Sequence, residues 1–471
     1  GEAGTGCLFS LSSMKNRSFH VRRAAALCLS PAVFSALSLL TMQVARAQMT
    51  APVQVAQNLR APQLAETVVT ATRSEQPLSD LVADVSIVDR ETIESSGATG
   101  VADVLARLPG VEITRNGGIG NSSSVYLRGA ESRFTAVYID GVRVDSQSTG
   151  GALWEQIPLS QIERIEVLRG PAAAVYGSDA IGGVIQLFTR KGEGPAAPYV
   201  GVGLGNQGMR KIEAGVSGTA GPDGALDYAV GLAHTRSSGF DSKASGVHNP
   251  DDDGYRSTSA SAKLGYRINA QHQLGATLLA NRLNSAYDAF SYLPEAPGDD
   301  RNQHRLRTLG AHWAAQWSES YSTRVSVSES VSRYETSPPP YLTETELRGA
   351  LWQNQWRLGA HRLSATLERR EDHLNNPALD AYSVGIVRSR SQDGLGLGYG
   401  YSAGAHTVQA NLRHDSDSEF GGKGTGSLSY GYGFAPGWRA TASVGTAFRA
   451  PTLYQRFSEY GDATLRPESS R

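Results

Sequence analysis

The sequence predicts a mainly β protein in which a compact α/β domain precedes an antiparallel transmembrane β-barrel. From Pro195 onward apolar residues recur at every second position, and in Gly394–Tyr401 the intervening residues are all glycine. Such segments of about ten residues, apolar outside and small or polar inside, are typical of membrane barrels. Residues 78–191 instead combine short strands with helical patterns. After residue 47 no segment is long and apolar enough to span a membrane as a helix. A soluble β-sandwich is the alternative for the same alternation.

The first 47 residues have the pattern of a leader. A basic stretch begins at Met14, Ala24–Leu40 is mostly apolar, and Ala45–Ala47 has the small-x-small spacing of a cleavage site. The apolar stretch is shorter than the roughly 20 residues of a membrane-spanning helix and contains Pro31. We therefore expect translation to start at Met14 and a signal peptide to be removed after Ala47, with a membrane anchor as the alternative.

Composition narrows the possible functions. The net charge of -1 gives no reason to expect a nucleic-acid partner. Both cysteines, Cys7 and Cys28, precede the expected cleavage site, so the exported chain is expected to contain no disulfide and no cysteine metal site. The glycine-containing turns of residues 78–191 fit neither the dinucleotide nor the P-loop spacing. The sequence indicates no enzymatic chemistry.

Residues 48–77 form a polar tail that contains one short β-favouring run. The run consists of Glu66, Thr67, Val68, Val69, Thr70 and Ala71. It is too short to bury itself, so it must pair with something else. It is either the first strand of the following domain or a docking strand for the sheet edge of a partner protein.

Residues 78–191 are predicted to form the α/β domain. Asp89 can cap a helix over Arg90–Ser95, and Thr99 can cap a second helix. The apolar face of the second helix consists of Val101, Val104, Leu105 and Leu108. Seven strands are predicted, at Val85–Val88, Val111–Thr114, Val125–Arg128, Thr135–Ile139, Val142–Val144, Ile162–Leu168 and Val184–Thr189.

One turn and two arginines at strand ends are further features of this domain. Asp140–Gly141 has the residues of a two-residue hairpin turn, in which glycine accepts a positive φ. Arg128 and Arg169 each end a strand just before a glycine. They are candidates for ion pairs with the barrel wall, and solvated surface arginines are the alternative.

Residues 195–471 are predicted to form the barrel wall. At roughly 20 residues for each strand and its connection, this length accommodates about 14 strands, whereas plugged transporter barrels have ~22. Short turns such as Gly221–Gly224 alternate with long polar loops at Ser237–Arg256 and Tyr287–Arg307, as expected for periplasmic turns and extracellular loops. The sequence ends at Arg471 without a terminal aromatic strand. We therefore expect a C-terminally truncated barrel whose unpaired edges do not insert stably into lipid.

Five motifs occur in the order found in the plug of TonB-dependent outer-membrane receptors, which the chain resembles over about residues 66–190. They are Glu66–Ala71, Leu108–Val111, Tyr126–Gly129, Tyr138–Arg143 and Ile165–Pro171. The resemblance implies a plug inside a barrel of ~22 strands in the outer membrane of a Gram-negative bacterium. It implies a TonB box at residues 66–71 that stays accessible from the periplasm. It also implies transport driven by the C-terminal domain of TonB, energised by ExbB–ExbD.

Two of the long loops are rich in carboxylates. Adjacent carboxylates repel unless a cation lies between them, and Asp251-x-Asp253-Gly254 has the local form of a calcium loop, although the full EF-hand pattern is absent. From these residues alone a solvated acidic loop is the alternative. Within the family, the loops are most similar to those of cobalamin receptors, which implies calcium ions that order them over the substrate. The implied ligands are Asp241, Asn249, Asp251, Asp253, Tyr287, Asp288 and Asp299, with Asp300 as a substitute for Asp299.

The same resemblance implies a set of cobalamin contacts. These are Ser122, Ser124, Glu131, Thr149, Gly150 and Ala289, of which only Ser124 and Ala289 match in side-chain type. The implied function is TonB-dependent transport of cobalamin by a barrel that lies in outer-membrane lipid and delivers its substrate to a periplasmic cobalamin-binding protein. A siderophore or other metal-chelate receptor is the alternative within the family. A calcium-dependent adhesin or phage receptor is the alternative of another class.

Overall fold

The structure, a computed structural model, describes residues 67–68, 73, 76–77, 81–243, 245–289, 300–337, 340–379 and 384–471. All of them belong to one compact unit, Leu64–Arg471. The expected signal peptide with its cleavage site after Ala47, most of the expected TonB box (Glu66 and residues 69–71), and Asp299 lie outside the described residues.

A mixed five-stranded sheet forms the centre of the α/β domain. Its strands are β3 (Asp84–Val88), β6 (Thr135–Ile139), β7 (Val142–Val144), β8 (Ile162–Arg169) and β9 (Gly183–Thr189), and β4 (Val111–Arg115) pairs with β5 (Ser123–Leu127) in a separate hairpin. The order is β3-β8-β9-β6-β7, with only β6 and β9 parallel. All seven predicted strands are therefore confirmed, each within two residues of its predicted bounds.

Short helices occur in both parts of the chain. They are α1 (Arg90–Ser95), α2 (Val101–Leu105), α3 (Ala173–Tyr176), α4 (Leu453–Phe457) and the 3-10 helices Ser132–Phe134, Trp154–Gln156, Leu159–Gln161 and Pro222–Gly224. Asp89 caps α1 as predicted, since its Oδ1 accepts the Thr92 N–H at 2.8 Å. The predicted cap of α2 is wrong. Gly100 is the capping residue, and Asp103 reaches back to accept its N–H at 2.9 Å.

The predicted apolar face of α2 is confirmed. Val101, Val104 and Leu105 are buried, and the partly buried Leu108 packs against them beyond the end of the helix. They share one core with the sheet, which contributes the fully buried Ile165 and Leu187. None of the helices among the described residues is long and apolar enough to cross a membrane.

A second, antiparallel sheet of 13 strands follows in the described part of the chain, and its neighbouring strands are consecutive in sequence. Its strands are β10 (Ala197–Leu204), β11 (Arg210–Ala220), β12 (Leu226–Ser237), β13 (Tyr255–Arg267), β14 (His272–Tyr287), β15 (Asp300–Ser318), β16 (Tyr321–Ser337), β17 (Tyr341–Leu358), β18 (His361–Asn376), β19 (Ile386–Ala403), β20 (His406–Asp417), β21 (Gly421–Ala435) and β22 (Trp438–Gly445). Two further short strands, β23 (Ala447–Arg449) and β24 (Glu468–Ser470), pair with each other. About 14 strands were predicted for this part of the chain, and the sheet has 13 among the described residues.

Side chains alternate across the large sheet as predicted. Leu232, Val327 and Leu412 are exposed on one face, whereas small polar residues such as Ser261 and Thr308 are buried on the other. Turns of two to five residues join the strands at one end of the sheet, and the long connections, such as those after β12 and β14, all lie at the other end. The short-turn end carries stacked or tilted ring pairs, among them Tyr321 with Trp356 and Phe434 with Trp438. An apolar outer face with an aromatic girdle is the pattern of a lipid-facing wall.

The α/β domain contacts the inner face of this wall through polar side chains. Gln161 donates to Ser259 Oγ at 3.2 Å and accepts from Ser261 Oγ at 2.7 Å. Lys263 Nζ lies 2.6 Å from Asp140 Oδ1, in the predicted hairpin turn. The interface therefore combines neutral hydrogen bonds, which contribute only about 1 kcal/mol each to stability, with ion pairs such as Arg143 to Asp372 at 2.7 Å.

Arg128 and Arg169 do not form the ion pairs with the barrel that were predicted as one possibility. Both pair with Asp84 inside the α/β domain, and Arg169 also donates to Ser86 Oγ at 2.9 Å. The reason is the register of the sheet, which places Asp84 directly opposite Arg169 on β3 and β8.

Candidate functional site

The first acidic loop follows β12 and folds back on itself through its own carboxylates. Asp253 Oδ2 accepts the Ser242 N–H at 3.1 Å and also the Ser242 hydroxyl. Asp241 Oδ1 accepts the Lys243 N–H at 3.1 Å, and its Oδ2 lies 3.4 Å from His248 Nε2. These partners use oxygens that were predicted to bind calcium.

The second acidic loop begins after β14 and is joined to the first. Asp288 Oδ1 accepts the Asn249 N–H at 3.2 Å, and Lys243 Nζ donates to Ala289 O at 3.0 Å. Burial and the neighbouring charges of Asp253 and Asp241 raise the pKa of Asp288, against the opposing effect of the Asn249 N–H. The two loops therefore bring carboxylates close enough to repel one another.

These loops provide the donor types of a calcium site without a finished coordination sphere. Asp288 Oδ2 is buried and has no hydrogen-bond partner among the described residues. Within the same described ranges, no three acidic, histidine or cysteine side chains are grouped closely enough to hold a metal ion. Asp251 is exposed, and Tyr287 is the last residue of β14. Calcium would thus require the carboxylates to exchange their present partners.

The first apical loop of the α/β domain, residues 116–122, touches the first acidic loop. A Cβ on Gly117 would lie 3.2 Å from Ser242 Cβ, and a Cβ on Gly120 would lie 2.5 Å from Ser285 Cβ. Ser285 Oγ donates to Gly120 O at 2.8 Å. The loop presents Ser122 on the surface and leads into the half-buried Ser124 on β5. Two predicted substrate residues therefore lie in a segment that contacts the acidic loop and β14.

A second apical loop, residues 145–153, brings three other predicted substrate residues together. Gly150 and Gly151 pack on the 3-10 helix after Glu131, since a Cβ on Gly151 would lie 2.9 Å from Ser132 O. Thr149 is exposed at the tip of this loop, and Glu131 is exposed beside it. Both glycines have φ values near +80°, a conformation that only glycine adopts without strain. Ala289 does not join this group and lies instead at the acidic loops.

The comparisons with known proteins match both parts of the fold. Residues 77–184 match the TonB-dependent receptor plug domain, and residues 206–471 match the TonB-dependent receptor-like β-barrel. The chain belongs to the TonB-dependent receptor family. The predicted mainly β fold, with a plug and a barrel sheet, and the outer-membrane location are thereby confirmed.

Two kinds of relatives resemble this TonB-dependent receptor. The vitamin B12 transporter BtuB of Photobacterium profundum is 38% identical over 232 residues, which cover 49% of this chain and 38% of that protein. The ferric enterobactin receptor PfeA of Pseudomonas aeruginosa has a TM-score of 0.67 at 19% identity, over 79% of this chain and 63% of that one. The siderophore receptor PirA of Acinetobacter baumannii has a TM-score of 0.66 at 18% identity, over 82% and 66%. The chain thus spans less than two thirds of the first relative, and the structural likenesses show the fold alone.

The N-terminal segment of the receptor is held by the plug and the barrel. Strand β1 (Thr67–Val68) pairs with β2 (Gln76–Pro77), and Val68 is fully buried. The Arg73 guanidinium binds both carboxylate oxygens of Glu368 on β18 at 3.1 and 3.3 Å. It also lies 4.6 Å from the centre of the Tyr176 ring. The expected accessibility of the TonB box is therefore wrong for Val68, because internal strand pairing covers it.

One segment that was not predicted as functional, β23 with α4, forms hydrogen bonds with the second apical loop. β23 and α4 lie beside residues 147–150, where the Leu453 N–H donates to Gln147 Oε1 at 3.3 Å and the Tyr454 N–H donates to Gln147 O at 3.1 Å. Arg390 on β19 donates to Pro451 O at 2.7 Å. Phe448 and Leu453 are almost fully buried. The signal was present in the unusual sequence Ala447-Phe-Arg-Ala-Pro451, which breaks the strand alternation just after β22.

Proposed function

We propose that this TonB-dependent receptor carries cobalamin or a closely related corrinoid across the outer membrane. The observation that carries the proposal is the contact between the first acidic loop and the first apical loop of the plug, at Ser242 and Gly117. It joins a loop with calcium-type donors to the segment that presents Ser122 and Ser124. The 38% identity to a vitamin B12 transporter supports the same substrate.

Before calcium binds, the charge of the entrance also favours cobalamin over an anionic iron chelate. The two acidic loops, residues 238–254 and 288–299, contain two basic residues, Lys243 and His248, against seven acidic ones: Asp241, Asp251, Asp252, Asp253, Asp288, Glu295 and Asp299. An anionic siderophore would approach these carboxylates against repulsion, since like charges at short range disfavour association. A substrate without a strong negative charge meets no such barrier.

Calcium completes the site in this proposal. Asp241, Asp253 and Asp288, with the amide oxygen of Asn249, supply the hard oxygen ligands that calcium prefers. When bound, calcium would neutralise the mutual repulsion of these carboxylates. The loops would then be held together above the apical loops of the plug, and substrate would be enclosed between them.

Energy for release reaches the plug through its N-terminal segment. TonB recognition by strand pairing requires a free backbone edge in residues 66–71, and Thr67 and Val68 use one edge to pair with β2. We therefore propose that TonB binds when β1 leaves β2, and that the ExbB–ExbD complex then pulls the plug through TonB. Cobalamin passes to a periplasmic binding protein. No covalent chemistry is involved.

The test is a titration of the purified receptor with cyanocobalamin, with and without about 1 mM calcium, the free level at which extracellular calcium modules bind. Saturable binding that calcium strengthens at least tenfold is expected. Competition by ferric siderophores would contradict the proposal and favour a metal-chelate receptor. Deletion of residues 66–71 should abolish uptake by cells and leave this binding intact. Uptake that survives the deletion would contradict energised transport.

A further inference from the structure

A cavity of about 250 Å³ lies at the short-turn end of the barrel sheet, between the plug and the inner face of β17 to β20. The plug contributes Gln76 and Pro77 of β2 and Ala174 and Val175 of α3. The wall contributes the two-residue turn Gly359–Ala360 and residues of the strands that it joins. Short turns mark the periplasmic side of such barrels. We call this space the periplasmic cavity.

Glycines on the inner face of β19 make room for polar side chains in the periplasmic cavity. A Cβ on Gly396 would lie 2.5 Å from Thr366 Oγ1, and a Cβ on Gly398 would lie 2.4 Å from Ser364 Oγ. Both hydroxyls therefore occupy space that any other residue on β19 would fill. Four amide side chains complete the polar lining: Gln353, Gln355, Gln409 and Asn411. These groups can donate hydrogen bonds to a small ligand.

Three arginines give this polar lining a positive charge. Arg357 and Arg362 lie directly opposite each other on β17 and β18, and Arg73 lines the cavity from the N-terminal segment. Opposed side chains on antiparallel strands have Cβ atoms about 5 Å apart, and like charges at that distance destabilise the pairing. No aspartate or glutamate side chain lines the cavity within the described ranges. A small anion would relieve this repulsion.

Arg73 and Arg357 have charge that is available to such a ligand. The Arg73 side chain is only 8% exposed, and its buried Nε has no hydrogen-bond partner among the described residues. Its terminal nitrogens bind Glu368, but that single carboxylate is shared with Arg370 and Arg413. Arg357 is exposed and forms no ion pair in the described part of the chain. The N-terminal segment and the wall thus each supply one cation that is incompletely neutralised.

We propose that the periplasmic cavity binds inorganic phosphate, which joins Arg73 to Arg357. Guanidinium groups suit this ligand because their planar N–H donors bind phosphate oxygens in parallel pairs. A lipid headgroup is not the occupant, since the cavity lies on the inner face of the wall. The bound anion fastens the N-terminal segment to β17 and so slows the departure of β1 from β2. Its effect on TonB recognition rests on the function proposed above, whereas the binding itself does not.

Maleimide labelling of V68C in the purified full-length receptor tests the proposal, with inorganic phosphate compared against chloride at equal ionic strength. Val68 is fully buried while β1 is in place. Phosphate at about ten times its calorimetric Kd should slow labelling about tenfold, because a ligand of the closed form stabilises it by the factor 1 + [L]/Kd. In Arg357→Gln, labelling in chloride should stay within about twofold of the parent, and phosphate should no longer slow it.

The matched control is Arg267→Gln, which makes the same charge change at the short-turn end of β13. Arg267 donates to Asp223 O and does not line the periplasmic cavity. The control should therefore retain the full effect of phosphate.

Three results would overturn the proposal. They are equal labelling of the parent in phosphate and chloride, full slowing by phosphate in Arg357→Gln, and an equal loss of the phosphate effect in Arg267→Gln. If Arg357→Gln does not fold, as judged by heat-modifiable migration, crystals of the parent receptor soaked in tungstate provide a test without a variant. Tungstate is a tetrahedral dianion with strong anomalous scattering. An anomalous peak beside Arg73 and Arg357 is expected, and a cavity without one would contradict phosphate binding.

Discussion

Replacing Arg73 by alanine is expected to release β1 from the plug. Its guanidinium makes two charged hydrogen bonds to Glu368 and covers the Tyr176 ring, and its side chain is only 8% exposed. Charged hydrogen bonds contribute about 1.5–3 kcal/mol, and a desolvated cation–π contact contributes about 2 kcal/mol. Glu368 keeps Arg370 and Arg413 as partners, so no unpaired charge is left in the interior. We therefore expect a loss of about 3 kcal/mol, or roughly a hundredfold increase in the released population.

Cysteine accessibility measures this release. Val68 is fully buried, and both native cysteines precede the expected cleavage site, so V68C introduces a unique probe. In this background R73A should increase the rate of maleimide labelling at least tenfold, because labelling follows the open population when opening is fast. The control R369A alters an exposed arginine on β18, paired with Asp393, and should leave the rate unchanged.

A labelling rate within twofold of the parent in R73A would refute the reasoning. An equal increase in the R369A control would show that any charge change at β18 loosens the N-terminal segment.

Three further changes test the plug and the acidic loops. Asp288→Asn should weaken calcium binding at least tenfold in calorimetry, whereas Asp252→Asn, an equal charge change on an exposed residue, should change it less than twofold. Burial raises the pKa of Glu155 to about 7, so its contribution to stability is present in acid and is lost as the pH rises to 7, by on the order of 3 kcal/mol. In Glu155→Gln the denaturant midpoint should lose that pH dependence. A dependence that remains in this variant would show that Glu155 is not its source. Gly183→Ala should lower the free energy of unfolding by about 1–3 kcal/mol, because its Cβ would lie 2.2 Å from Leu168 O, and Gly203→Ala, which meets only Lys211 Cβ at 3.4 Å, serves as the control.

Local pattern was enough to predict most of the fold. Every strand of the plug was found within two residues, because β-favouring runs and glycine turns act over a few positions. The α2 cap was missed because the Thr99 hydroxyl donates to Asp103 instead of accepting a backbone N–H, and Asp103 also accepts the Gly100 N–H. Such a choice is decided by side-chain geometry and leaves no spacing signal.

Contacts between distant parts of the chain could not be predicted. Arg73 and Glu368 are 295 residues apart, and Gln147 meets Leu453 across 306. Neither pair has a sequence pattern of its own, since each depends on how the plug sits against the wall. For the same reason the sequence did not show that Arg128 and Arg169 pair with Asp84 inside the plug.

The position of β3 gives the plug a graded mechanical resistance. Tension applied ahead of Thr67 meets first the two-residue ladder of β1 and β2, whose bonds fail one at a time like a zipper. It then meets the attachments of this segment to the barrel wall, which include Arg73 to Glu368 and Arg362 to Gln76. The next strand along the chain, β3, is an edge strand joined only to β8 over five residue pairs. We expect it to peel away while the β8-β9-β6-β7 sheet stays folded, so that a pull of limited length would open one side of the plug at the expense of the buried Val88.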